Sequence, residues 1–376
     1  MNKTHLELAV AGVRGLKPYQ PGKPVSELER EHGVSGIVKL ASNENPLGPG
    51  DAVRQAMADA VEDIGRYPDG GGFHLKEAIA ERHDLPPDRV TLGNGSNDVL
   101  VLLAEAFLEP GLEAVYSRYA FAVYAIAVQA AGATARIAPA LDWDSPMPLG
   151  HDLEKMAEAI GPRTRLVFVA NPNNPTGTWI DGDRLKSFLE SVPRETLVVV
   201  DEAYAEYVEE PGYPDCSAWL REHPNLVVTR TFSKAFGLAG LRIGYALSAP
   251  GVADILNRIR QPFNVNSVAQ AAGVAALEDR SYLARSVEIN NAERHRVAAA
   301  FDSLGLRHVP SVGNFILVDF ERPAAPIYEA LLRRAVIVRP VANYGLPTCL
   351  RISIGTPDEN TKLISALTEV LADAPD

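Results

Sequence analysis

The stretch RLVFVANPNNPTGT at 165–178, continued by DRLKSFLESV at 183–192, TLVVVDEAY at 196–204 and NLVVTRTFSK at 225–234, decides the fold. Its apolar runs are short, rich in β-branched residues and uninterrupted by polar ones, the pattern of strands buried on both faces. DRLKSFLESV between them carries its apolar residues at helical spacing. Strand, helix and strand in that order predict βαβ units and a mostly parallel sheet. In such a sheet ligands gather where strands end and loops begin. Polar loops follow the runs directly here, NPNNPTGT after VFVA, DEAY after LVVV and TFSK close behind LVV, so chemistry is expected in those loops.

Past about residue 260 the pattern changes to an Ala-rich helical stretch and then to shorter alternating pieces, NFILVDF, AVIVRP and CLRISIG. These read as strands of a second, smaller α+β domain. The expected division is an N-terminal arm with part of the small domain at 1–45, a large domain at 46–260 and a small C-terminal domain at 261–376. With 376 residues, 46% of them hydrophobic, the chain is long enough to bury more than one core. Its formal charge of -12, from 48 acidic and 36 basic side chains, disfavours a nucleic-acid backbone as partner. The N-terminal apolar run is broken by Gly12 and Arg14, which argues against a signal peptide, and no segment suggests a membrane span. Cys216 and Cys349 stand far apart without metal-ligand partners at useful spacing, so two free thiols, no metal site and a cytoplasmic location are expected.

Most lysines are solvated surface charges. Lys234 instead stands among Ala235, Phe236, Gly237, Leu238, Ala239 and Gly240, a setting that desolvates an ammonium and favours the neutral, nucleophilic amine. Thr231, Ser233 and Arg242 nearby supply donors suited to a phosphate. Asp201 closes the LVVV run, where a carboxylate either caps a helix or pairs with the nitrogen of a pyridine ring, keeping that ring protonated as an electron sink. Tyr204 and Asn171 are candidates to hydrogen-bond a ring oxygen, although NPNNPTG is equally a plain turn. In TLGNGSNDVLVLLAEAF at 91–107, Gly95, Ser96 and Asn97 open an amphipathic helix whose positive end favours a phosphate, or they serve simply as its cap. Aromatic residues able to stack on a flat ring lie in YSRYAFAVY at 116–124. The order of these features matches the needs of one cofactor, pyridoxal 5′-phosphate.

At this point the sequence resembles the fold-type I pyridoxal-phosphate aminotransferases, and within them the histidinol-phosphate aminotransferase family. The match extends almost end to end, through LASNENPLGP at 40–49, YPDG at 67–70, GNGSND at 93–98, ANPNNPTGT at 170–178, VDEAY at 200–204, RTFSKAFGLAGLRIGYA at 230–246, RQPFNVN at 260–266 and LRISIGTPDEN at 350–360. The resemblance implies an α/β fold of the aspartate-aminotransferase type, with a seven-stranded, mostly parallel sheet in the large domain. It implies Lys234 as the Schiff-base lysine and proton-moving base, Asp201 at the ring nitrogen, and Asn171 and Tyr204 at the ring oxygen. Gly95, Ser96, Asn97, Thr231, Ser233 and Arg242 would hold the cofactor phosphate, and Tyr67 would reach the cofactor of the other subunit in a homodimer. Arg351 would take the substrate carboxylate and Arg339 a second anion, with Tyr19 and Asn45 lining the pocket. Many relatives have a Pro-Thr-aromatic pattern where this chain reads YSRYAFAVY; spacing from the phosphate loop selects Phe121 as the stacking ring, with Tyr119 as the fallback. The implied reaction is amino transfer between histidinol phosphate and 2-oxoglutarate. An aromatic amino-acid aminotransferase shares these motifs, and a decarboxylase of the same fold or a ligand-sensing regulator remain as alternatives.

Overall fold

The structure, a computed structural model, describes residues 4–373. The chain forms β1 (Val38–Lys39), β2 (Val90–Gly93), β3 (Glu113–Ser117), β4 (Thr134–Ala138), β5 (Thr164–Ala170), β6 (Leu197–Asp201) and β7 (Leu226–Thr231). It continues with β8 (Gly244–Ser248), β9 (Arg307–His308), β10 (Phe315–Asp319), β11 (Val336–Ile337), β12 (Arg339–Pro340) and β13 (Cys349–Ser353).

The valine-rich runs pair side by side because each has apolar side chains for both faces. A seven-stranded sheet results, in the order β2-β8-β7-β6-β5-β3-β4. β3 to β7 run parallel to one another, and β8 alone runs against both β7 and β2. Alternation along each strand splits the apolar residues between two cores. Val167, Val169, Val198, Val200 and Val228 face one, with Leu185 and Phe188 of the helix Gly182–Ser191. Leu166, Phe168, Val199 and Val227 face the other, with Leu103 and Tyr124 from the helices Ser96–Phe107 and Ala122–Ala130. Helices thus cover both faces, as expected for a sheet whose central strands are almost fully buried.

A second sheet, β12-β13-β10-β9, is antiparallel and has its own core, in which Ile316, Val318, Leu350 and Ile352 meet Val297, Phe301, Leu331, Leu363 and Leu367 from helices. β1 pairs in parallel with β11, Val38 opposite Val336, so residues just before the LASNENPLGP segment are tied to the late part of the chain. The short helix Ala11–Arg14 lies against the helix Ala122–Ala130, where the Gln129 amide donates to the Gly12 carbonyl at 3.0 Å. Among the described residues no helix is long and apolar enough to cross a membrane.

Candidate active site

β5, β6 and β7 are parallel and in register, so their carboxyl ends bring Ala170, Asp201 and Thr229 alongside one another. The loops beyond those ends, with residues 19–22 and 41–44 and with β12 and β13, enclose a cavity of about 530 Å³. Its wall holds Tyr19, Ser96, Asn97, Phe121, Asp201, Tyr204, Thr231, Ser233, Lys234, Arg242, Arg339 and Arg351, residues spread over more than three hundred positions of sequence.

Lys234 follows β7 on a tight turn in which Gly237 has φ 73°, and a Cβ there would meet the Gly48 carbonyl oxygen at 2.2 Å. Lys234 Nζ donates to the Ser42 carbonyl at 3.1 Å and stands 5.6 Å from the Tyr204 ring centre. Burial lowers its pKa to about 7, with Arg351 and Arg242 adding repulsion and Glu44 and Asp201 opposing it. At neutral pH a large fraction of the amine is therefore unprotonated.

Asp201 ends β6 as a buried carboxylate. Tyr124 donates to its Oδ2 at 2.8 Å and Thr229 to its Oδ1 at 3.0 Å. Burial pushes its pKa upward, while these hydrogen bonds and the charge of Lys234 pull the other way. Tyr204 OH accepts a hydrogen bond from Asn43 Nδ2 at 2.9 Å, and burial lifts the phenol to about 12, so it stays protonated.

The phosphate side is built from close approaches of backbone. Gly95, with φ 85°, precedes the helix Ser96–Phe107, and a Cβ on it would strike Arg242 Nη2 at 2.5 Å. A Cβ on Gly244 would lie 2.3 Å from the Ser96 nitrogen. Arg242 Nη1 donates to Ser233 Oγ at 3.3 Å and to the Ala239 carbonyl at 2.9 Å. Hydroxyls, a guanidinium and the helix N-terminus thus converge on one end of the cavity, a donor set suited to a dianion. Phe121, which caps the helix Ala122–Ala130, lines the cavity and meets Tyr124 edge-on at 5.9 Å. Tyr119 instead packs near Leu149, Val341 and Leu346, outside the wall.

At the other end Arg339 and Arg351 stand directly opposite each other on β12 and β13. Arg351 donates from Nη1 to Asn174 Oδ1 at 2.6 Å and from Nη2 to the Ala41 carbonyl at 2.7 Å, while its Nε is buried without a partner. Arg339 donates to the Gln20 carbonyl and lies 5.7 Å over the Tyr19 ring. Two facing guanidiniums in a cavity call for an anion between or beside them.

Three sequence expectations need correction or qualification. Asn171 does not face the cavity: its amide donates to the Ile180 carbonyl at 3.1 Å and accepts from the Ile180 nitrogen at 2.9 Å, fastening the NPNNPTG loop. Asn174, three residues on, lines the cavity in its place. Asn45 also lies outside the wall, with its amide donating to the Ala235 carbonyl at 2.9 Å and to the Ser286 hydroxyl at 2.8 Å. Tyr67 is 82% exposed, stacked on Phe263 at 4.6 Å and away from the cavity of its own chain. Sequence reasoning missed Asn43, Tyr124, Asn174 and Thr229. Tyr124 lies in YSRYAFAVY as a candidate stacking ring, with nothing local to mark its hydroxyl as a partner of Asp201, whereas Asn43 and Asn174 lie in LASNENPLGP and NPNNPTG beside Asn45 and Asn171.

Residues 35–367 match the family model described as "Aminotransferase class I and II". The chain belongs to that family. Among curated proteins, this aminotransferase is 57% identical over 376 residues, the whole of both chains, to histidinol-phosphate aminotransferase 2 of Pseudomonas fluorescens. It is 51% identical over 365 residues, 97% of each chain, to histidinol-phosphate aminotransferase 1 of Nitrosococcus oceani. Of solved structures, the histidinol-phosphate aminotransferase of Sinorhizobium meliloti in complex with pyridoxal 5′-phosphate superposes with a TM-score of 0.87 at 32% identity, covering 96% of this chain and 97% of that one. The aspartate aminotransferase of Thermus thermophilus with maleate shares the fold, with a TM-score of 0.83 at 23% identity over 96% of this chain and 99% of that one.

The group bound in the Sinorhizobium meliloti structure is pyridoxal 5′-phosphate. The residues present fit it: a backbone cradle that a single Cβ would fill, a carboxylate with two fixed donors, and an amine of lowered pKa share one cavity.

Proposed function

We propose that this aminotransferase transfers the amino group of histidinol phosphate to 2-oxoglutarate, giving imidazole-acetol phosphate and glutamate. The observation that carries the reading is the facing pair Arg339 and Arg351 in the cavity that holds Lys234, since both substrates carry an anion close to the reacting carbon, the phosphate on the adjacent CH2 of histidinol phosphate and the α-carboxylate of 2-oxoglutarate. The whole-chain likeness to proteins named histidinol-phosphate aminotransferase supports the same choice.

Bound pyridoxal phosphate supplies an electron sink for the charge left when a substrate Cα loses its proton. The chain's own residues do the rest. Lys234, with its pKa near 7, takes and returns that proton, since its neutral amine is well populated at working pH. Asp201, held by Tyr124 and Thr229, is placed to keep the ring nitrogen protonated. Tyr204 and Asn174 serve the ring oxygen, Phe121 covers one ring face, and Ser96, Asn97, Thr231, Ser233 and Arg242 hold the phosphate. Arg351 has an unpartnered buried Nε and takes a carboxylate or phosphate of the substrate, with Arg339 and Tyr19 beside it.

The working unit in this proposal is a homodimer to whose second cofactor Tyr67 reaches. Supporting it, Val61, Ile64, Tyr67, Phe73 and Phe263 are large apolar residues exposed by 43 to 82%. The reading also places the enzyme in the cytoplasm, in keeping with two free buried cysteines. The test is a substrate panel: kcat/KM for histidinol phosphate with 2-oxoglutarate should exceed that for phenylalanine by at least about tenfold, a difference of roughly 1.4 kcal/mol. Preference for phenylalanine would overturn the assignment.

A further inference from the structure

Asn43 sits between the two sheets, 1% exposed, with φ 53° in the left-handed region that Asn and Asp tolerate. Its backbone N–H donates to Ser353 Oγ on β13 at 2.8 Å, and the Asn314 amide donates to its carbonyl at 3.0 Å. Ser353 Oγ lies 2.8 Å from Asn43 Oδ1. Among the described residues the Ser353 hydroxyl proton has no acceptor other than Asn43 Oδ1, so it goes there, and this fixes which way the amide faces. The NH2 group therefore points at Tyr204 and donates to the phenol oxygen at 2.9 Å. A phenol that accepts on that side must aim its own proton elsewhere, and the cavity adjoins Tyr204.

We propose that Asn43 is a positioning residue that sets the direction of the Tyr204 hydroxyl proton, making the phenol an obligate donor into the cavity. The inference rests on the reading that Tyr204 serves the cofactor's ring oxygen. A phenol donating to that oxygen draws charge from it and leaves it a weaker partner for the protonated nitrogen of the Lys234 linkage. The nitrogen then loses its proton at lower pH. The charged and titratable groups around Tyr204 and Lys234 are Arg351 from β13, Asp201 from β6, Glu44, Arg242 and Tyr19. Aspartate at position 43 keeps the size and the backbone conformation but accepts where asparagine donates, so it turns the phenol proton away from the cavity.

The experiment follows the visible absorbance of the lysine-linked cofactor against pH in the holoenzyme, for wild type, Tyr204→Phe, Asn43→Asp and the double variant. Tyr204→Phe should raise the apparent pKa by about one unit or more, and Asn43→Asp by a comparable amount. In the Tyr204→Phe background the Asn43→Asp increment should nearly vanish, since both changes act through one hydroxyl. An increment that persists in full there reports a charge acting through space, and it overturns the inference while leaving the role of Tyr204 standing. An unmoved titration in Asn43→Asp beside a shifted one in Tyr204→Phe does the same. If Tyr204→Phe itself is unmoved, the reading of Tyr204 falls and the inference with it. Should Asn43→Asp not fold, Ser353→Ala frees the amide to rotate without changing charge: a rise in pKa supports the inference and an unmoved titration overturns it.

Discussion

The ends of β6 and β7 present two faces with opposite characters. On one, Asp201 and Thr231 open on the cavity, where the cations lack carboxylate partners among the described residues. Lys234 has a carbonyl, Arg242 a hydroxyl and a carbonyl, Arg339 a carbonyl, and Arg351 an amide and a carbonyl. On the other, the adjacent residues Glu202 and Arg230 form a closed buried cluster. Arg230 bonds Glu202 through Nε at 2.7 Å and reaches Glu206 and Asp215, each at 3.3 Å. Cations already matched by carboxylates hold a fold together; cations left unmatched in a cavity are available to a ligand. A one-residue step along a strand separates the two, because successive side chains point to opposite faces.

The largest effect is expected on the open face. Lys234→Ala should lower turnover by about a thousandfold or more and abolish the absorbance of lysine-linked cofactor, while cofactor still binds through Arg242, Ser233 and Asp201. The same change should leave the melting temperature of the apoprotein unchanged or higher, since it removes a buried ammonium that no carboxylate hydrogen-bonds. Wild-type turnover would end the mechanism, and a large loss of stability would blur the contrast between the faces. On the closed face, Arg230→Met should cost about 3–5 kcal/mol of stability in urea unfolding of the apoprotein, because it strands Glu202 and Glu206 without their counter-charge. A cost below about 1 kcal/mol would show that the cluster is not the structural partner of the pair.

A smaller effect sharpens the electrostatics of the open face. Only the neutral amine attacks an aldehyde, so trapping of Lys234 in the apoprotein by a small uncharged aldehyde and a reductant should weaken as pH falls. With a pKa of about 7 the rate should drop about tenfold from pH 8 to pH 6. An ordinary lysine would drop about a hundredfold over the same range, and that result would remove the argument from burial.

Much of the site was legible because its chemistry follows strand ends. The runs LVFVA, LVVVD and LVVTRT announced parallel buried strands, and Asp201, Tyr204, Ser233 and Lys234 follow in fixed register with them. Asn171 shows where this reading stops. The NPNNPTG loop holds three asparagines, and which one faces the cavity depends on the Asn171 amide closing onto Ile180, nine residues away. Tyr124 stayed hidden because its hydroxyl sits on a mostly apolar helix, and its partner Asp201 is 77 residues away.

The sequence by itself determined the sheet, the lysine and the carboxylate, since β-branched runs, an apolar setting around one amine and a charge at a strand end are local facts. Only the tertiary structure decided that Asn174 and not Asn171 meets Arg351, that Arg339 faces Arg351 across two strands, and that Asn43 holds the Tyr204 hydroxyl 161 residues away. Those choices depend on which partners the fold brings within reach of each side chain, and hydrogen bonds across long stretches of chain leave no periodic trace in the residues that make them.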